Sequence, residues 1–114
     1  MNAEPPAPAF DELIHQPTRL TVVAFLSGCA EAEFRAVRES CGVSESALSK
    51  LVSTLEAASY VKVRRGYVGK RPRTWLRLSP QGRRALAAHL AELQRIAADA
   101  TALGAALERQ AGRE

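Results

Sequence analysis

The sequence predicts a mainly α-helical α+β domain carrying one small β-hairpin and a long C-terminal helix. Three observations predict it. Apolar residues recur every three or four positions in "PTRLTVVAFLSG", in "VSESALSKLVSTLEAASY" and in the run after Ser79. Between the last two, "YVKVRRGYV" and "RTWLRL" alternate and are rich in β-branched and aromatic residues, as antiparallel strands are. Finally, 114 residues at 46% hydrophobic and 25% charged suit one domain with a modest core.

Residues 1–9, "MNAEPPAPA", read as a disordered Pro- and Ala-rich tail, leaving residues 10–114 as one domain. Asp11 caps "ELIH", and Pro17 opens the first core helix, whose Leu20, Val23, Ala24 and Leu26 face inward until Gly28. "AEAEF" is short enough to be a small strand leading into a helix from Arg35 to Cys41, which Gly42 terminates. Ser44 then caps a helix whose Leu48, Leu51, Val52, Leu55 and Ala58 make one apolar face; Glu45, Ser46, Ser49, Lys50 and Ser53 occupy the other. Two helices around a glycine turn form a helix-turn-helix. The strands are joined through "GKRP", with Pro72 in the loop or at an edge because it cannot donate to a ladder. A lone hairpin is marginally stable, so it leans on the helices and pairs with the "AEF" segment. Ser79 and Pro80, cap and first-turn proline, start a helix over residues 79–110.

Charge is unevenly spread. Residues 1–34 hold one base against five acids, −4; residues 35–84 hold twelve bases against three acids, +9; the remainder is −1. From Glu56 to Glu92 nine bases have no acid near them in sequence, and Lys70, Arg71 and Arg73 are expected at the hairpin tip with Arg64 and Arg65 behind. Such a one-sided field suits a polyanion, against whose phosphates the mutual repulsion of these side chains is relieved.

Catalysis finds no support: there is no Gly-rich phosphate loop, no HExxH and no nucleophile elbow, and His15 and His89 stand apart without a paired acid. Cys29 and Cys41 follow no metal-ligand spacing, and no cofactor or metal is implied. No apolar run approaches the roughly 18 residues of a membrane span, and the first ten residues lack a signal-peptide pattern, so a cytoplasmic protein with no membrane partner is expected.

Residues 48–86, "LSKLVSTLEAASYVKVRRGYVGKRPRTWLRLSPQGRRAL", resemble the MarR/ArsR-like winged-helix transcriptional regulators. The resemblance is to the short bacterial type that reads L-S-K-H-L-x-x-L-E-x-A-G-Y-V, then G-x-x-G-R-x-P-R-T-W, then L-T-P-x-G-R. "FDELIHQPTRL" is similar to that type's opening. The resemblance implies a winged helix-turn-helix that binds double-stranded DNA as a homodimer, usually as a repressor. It assigns Ser44, Ser46, Ser49, Lys50 and Ser53 to a major-groove recognition helix over about residues 44–58. Arg64, Arg65, Lys70, Arg71 and Arg73 fall on a wing over about residues 61–78, and Arg35 and Arg38 near flanking phosphates. Two positions depart from the pattern. Leu51 replaces His, and Ser59 stands where Gly is usual, at a left-handed cap.

The last helix carries Leu86, Leu90, Leu93, Ala97, Ala100, Gly104 and Leu107 at steps of four and three, with Ile96 and Leu103 alongside. A stripe this long exceeds what the body needs to cover and reads as the dimer contact. Rival readings are a protein-interaction module on the same scaffold and a regulator sensing an effector or redox state through Cys29 or Cys41. No residue pattern identifies an unknown small-molecule effector.

Overall fold

A computed structural model describes residues 4–113 of the chain. Residues 1–3 of the expected tail lie outside the described residues; residues 4–11 carry no regular element, and the Ala9 amide donates to the Ala88 carbonyl at 3.0 Å. The elements are α1 (Glu12–His15), α2 (Pro17–Ser27), β1 (Ala32–Glu33), α3 (Phe34–Cys41), α4 (Glu45–Ala57), β2 (Val61–Val68), β3 (Arg71–Leu78) and α5 (Pro80–Ala111).

The helix boundaries follow from caps. Asp11 Oδ1 accepts the amides of Leu13 and Ile14, Ser44 Oγ that of Ala47 and Ser79 Oγ that of Gly82, so the starts of α1, α4 and α5 each have a side-chain acceptor for an otherwise orphan donor. Gly42 ends α3 at φ 66°, and α4 ends in a Schellman motif: Tyr60 N–H reaches Leu55 O and Ser59 N–H reaches Glu56 O, each at 2.9 Å. That motif holds Ser59 left-handed at φ 65°, as expected at this position.

The core gathers Ile14, Val22, Val23 and Leu26 with Val37, Leu48, Leu51, Val52, Leu55, Val61, Leu76, Leu78 and Leu86. Helix α2 differs from expectation in one detail: Val22 is buried and Ala24 is exposed, because the buried face is centred on the 22–23–26 stripe. The sheet has the order β1-β3-β2 and is antiparallel. β1 pairs with β3 only at Ala32–Leu76 and Glu33–Trp75, which confirms the expected pairing of the "AEF" segment.

The hairpin is tighter than the sequence suggests. Its turn is Gly69–Lys70 alone, with Val68 opposite Arg71. Gly69 takes φ 63° while Lys70 keeps a negative φ, as in a type II′ turn, whose twist matches the flanking strands. Pro72 therefore lies within β3, but beyond the reach of β1, where no ladder bond is asked of it.

Candidate nucleic-acid interface

On α4 the exposed Ser46, Ser49, Lys50 and Ser53 lie opposite the buried Leu48, Leu51, Val52 and Leu55. Lys50 is the only cation of the helix, and its two acids, Glu45 and Glu56, stand at the ends. A face of short hydroxyls around one Lys can approach base edges and phosphates closely.

Strand alternation divides the wing cations between two faces. Cross-strand partners share a face, so Val61–Leu78 and Val63–Leu76 enter the core, and the same parity carries Arg65 and Thr74 onto that face farther out. There Arg65 and Thr74 line a 260 Å³ cleft together with Ser49, Ser53, Glu45 and Glu56 of α4. The opposite face takes Arg64, Trp75 and Arg73. The Arg64 guanidinium stacks 4.0 Å from the Trp75 ring centre and donates to Glu31 at 3.1 and 2.7 Å. Arg73 Nε meets Glu33 Oε1 at 2.9 Å. Gly66 makes room for this stack, since a Cβ there would sit 3.3 Å from the Trp75 ring.

Two expectations are thereby revised. Glu31 and Glu33 pair with two of the wing cations, although neither is near them in sequence; the Arg64 hydrogen bond holds the Glu31 carboxyl below its usual range. Arg73 is not at the tip: it lies opposite Gly66, because the two-residue turn draws Arg71 and Pro72 into the strand. The tip presents Lys70 and Arg71 with Tyr67 and Val68, the latter two 73% and 58% exposed. Arg83 is also occupied, donating at 3.0 Å to the carbonyls of Ser27 and Cys29 at the end of α2. Arg35 pairs with Glu39 at 3.0 Å and Arg38 approaches the same carboxylate at 4.0 Å. Such exposed pairs are worth little and exchange readily for phosphate.

Along α5 the stripe divides. Leu86 is 5% exposed and packs in the chain's own core, so it is withdrawn from the expected dimer contact. Leu90 is 40% exposed and Leu93 half-buried, while every residue from Gln94 to Arg113, including Ala97, Ala100, Leu103 and Leu107, is exposed. Cys29 and Cys41 are free and half-buried, and burial raises the Cys41 thiol pKa, which disfavours a reactive thiolate. Among the described residues no group of three His, Cys, Asp or Glu could hold a metal ion, and no helix is long and apolar enough to cross a membrane.

One cluster escaped sequence reasoning. His15 and His89, 74 residues apart, meet at 3.2 Å between Nδ1 and Nε2, beside the Phe10 ring. Asp11 joins them: its amide donates to His89 Nδ1 at 3.0 Å, and its Oδ2 accepts the Tyr60 hydroxyl at 2.5 Å. The only sequence sign was that His89 falls three residues after Leu86, on the buried side of α5.

A family model described as a winged helix DNA-binding domain matches residues 18–97. No curated protein matches the chain in sequence. Among solved structures, a transcriptional regulator homologue from Pyrococcus horikoshii OT3 superposes with a TM-score of 0.73 at 21% identity, covering 78% of this chain and 88% of that one. The PcaV transcriptional regulator from Streptomyces coelicolor, solved with its natural ligand, gives a TM-score of 0.65 at 23% identity over 92% of this chain and 79% of that one. A structure described as a possible transcriptional regulator for arsenical resistance is 30% identical, with a TM-score of 0.57 over 77% of this chain and 92% of that one. With helix-turn-helix and wing in place and the family model matching most of its length, the chain belongs to the winged-helix DNA-binding domain family.

Proposed function

We propose that the protein is a sequence-specific repressor that binds double-stranded DNA as a homodimer. Helix α4 enters the major groove through Ser46, Ser49, Lys50 and Ser53, with Ser44 at its capped start near the backbone. Lys70 and Arg71 at the wing tip, with Arg65 behind them, engage phosphates or the adjacent minor groove, and Arg35 and Arg38 reach flanking phosphates. Arg64 and Arg73 order the base of the wing through their acids and Trp75. The observation that carries this reading is that Arg65 shares a cleft and a sheet face with the hydroxyl-bearing side of α4.

Dimerisation rests on Leu90, Leu93, Ala97, Ala100, Leu103 and Leu107, an apolar stripe on a helix segment with no core of its own to cover. It spaces two recognition helices about one DNA turn, roughly 34 Å, apart on a pseudo-palindrome. The small-molecule effector is a further part of the proposal, supported by an open 380 Å³ hollow lined by Phe10, Glu12, His15, Gln16 and Pro17.

The test is selection of bound sequences from a random DNA pool at near-physiological salt with competitor DNA. An enriched two-fold-symmetric motif is the expected result. A pool that stays random would overturn sequence-specific binding and favour a protein-interaction module on the same scaffold.

A further inference from the structure

Tyr60 is the corner on which the DNA-binding half turns. Its amide closes the end of α4 on Leu55 O, its carbonyl accepts the Ser79 amide at 2.9 Å at the start of α5, and β2 begins at the next residue. Its hydroxyl donates to Asp11. Asp11 in turn donates its amide to His89, which is fully buried on α5. One residue of the N-terminal segment thus ties the recognition helix and wing to the long helix.

This arrangement demands neutral imidazoles. The hydrogen-bond network assigns the tautomers: His89 Nδ1 accepts from Asp11, so its proton is on Nε2 and is donated to His15 Nδ1, which must itself be bare. A protonated His89 would set an N–H against the Asp11 amide, and its charge would compete with the Tyr60 hydroxyl for the Asp11 carboxylate. Protonation of His15 would oppose two N–H groups across the 3.2 Å contact. The same tautomer argues against a metal between the rings, since His89 Nε2 is not free to ligate.

We propose that the His15–His89–Asp11–Tyr60 chain is a proton-sensing positioning device, which holds the α4–β2 corner for DNA when neutral and releases it on acidification. The groups facing His89 are Asp11 and His15 from the N-terminal segment, with Tyr60 reached through Asp11 at the corner; on its own helix the next charged residue is Glu92, which is paired with Arg95. Burial first, then the charge of His15, lowers the His89 pKa below 6.5, with Asp11 acting the other way. The intact state therefore binds fewer protons than a released one, and acidification through about 6.5 favours release.

The sign of the effect separates this device from simple electrostatics. Added positive charge on a DNA-binding protein strengthens its hold on phosphate. The device weakens it.

The inference rests on the DNA-binding reading, and the test keeps the two apart. Affinity for a DNA fragment carrying the selected motif is measured at constant ionic strength between pH 7.5 and 5.5 for the full chain, for His89→Asn and for Tyr60→Phe. In parallel, the Asp11 amide and the histidine rings are followed by NMR without DNA. Wild-type affinity is expected to fall by about fivefold, in the direction that a lowered imidazole pKa in the intact state dictates. His89→Asn, whose amide oxygen can accept from Asp11 without titrating, should keep the pH 7.5 affinity and stay within about twofold across the range. Tyr60→Phe, which cuts the link to the corner, should also flatten the response. Wild-type affinity that holds or rises on acidification would overturn the proposal, as would an unaltered fall in both variants. If no DNA is bound at any pH, the functional reading fails and NMR decides the device: an Asp11 amide that shifts with the His89 titration upholds it, and one that does not overturns it.

Discussion

Ser59 and Gly82 meet at the Tyr60 corner, and opposite backbone demands act on them. Ser59 sits at φ 65°, where a side chain costs roughly 1 kcal/mol that glycine avoids, partly offset by glycine's freer unfolded chain. Ser59→Gly is expected to stabilise the protein by about 0.5 kcal/mol in urea unfolding. Gly82 has no such latitude, because an added Cβ would lie 2.4 Å from the Tyr60 carbonyl oxygen, a backbone atom that α5 and the wing hold in place. Gly82→Ala should destabilise by about 2–3 kcal/mol, as overpacking in a rigid setting does, and the same unfolding series reads it. The Tyr60 phenol is pushed up to about 12 by its bond to Asp11, then by burial, so it remains a donor across the whole working range. The stability it contributes is present below its ordinary value of 10 and is lost only as pH rises toward 12.

At the level of elements, the wing separates cations that hold it together from cations left for a ligand. Arg64 and Arg73 are paired on the face away from α4, whereas Arg65 lies toward α4, and Lys70 and Arg71 extend from the turn. Replacing Arg65, Lys70 and Arg71 together with Ala should weaken DNA binding and lower the slope of log affinity against log salt by about two to three, near 0.9 per lost phosphate contact. Arg64→Ala should leave that slope almost unchanged while loosening the stack on Trp75. Equal slopes for the triple variant and the wild type would remove the wing from the contact surface. The cation count of this hairpin was legible in sequence, and so was the alternation that sorts it. The partners were not, because Glu31 and Glu33 reach the wing only through the register of the two-residue strand β1 on β3.

For the whole molecule the long helix sets the shape. Its 32 residues span about 48 Å at 1.5 Å per residue, and the chain extends 75 Å along its longest axis. The half from Gln94 onward covers none of this chain's own core and leaves Leu103 and Leu107 exposed, so the proposed dimer contact is tested there. Leu103→Glu combined with Leu107→Glu should yield monomers by sedimentation, reduce helix content by circular dichroism and abolish binding to a two-fold site. Unfolding of the body should be unaffected, since neither residue touches the core. A variant that remains dimeric would relocate the interface.

By itself the sequence determined what is local: the caps at Asp11, Ser44 and Ser79, the stop at Gly42, the apolar face of α4 and the strand alternation. These depend on backbone groups and side chains within a few residues of each other, so periodicity and spacing report them. The motif strings added the family because they record the same local geometry. Only the tertiary structure decided which charges and rings would meet: Glu31 with Arg64 across 33 residues, Asp11 with Tyr60 across 49, and His15 with His89 across 74. Those contacts come from how the helices pack around one core and how β1 registers on β3, and packing brings together residues that no spacing along the chain connects.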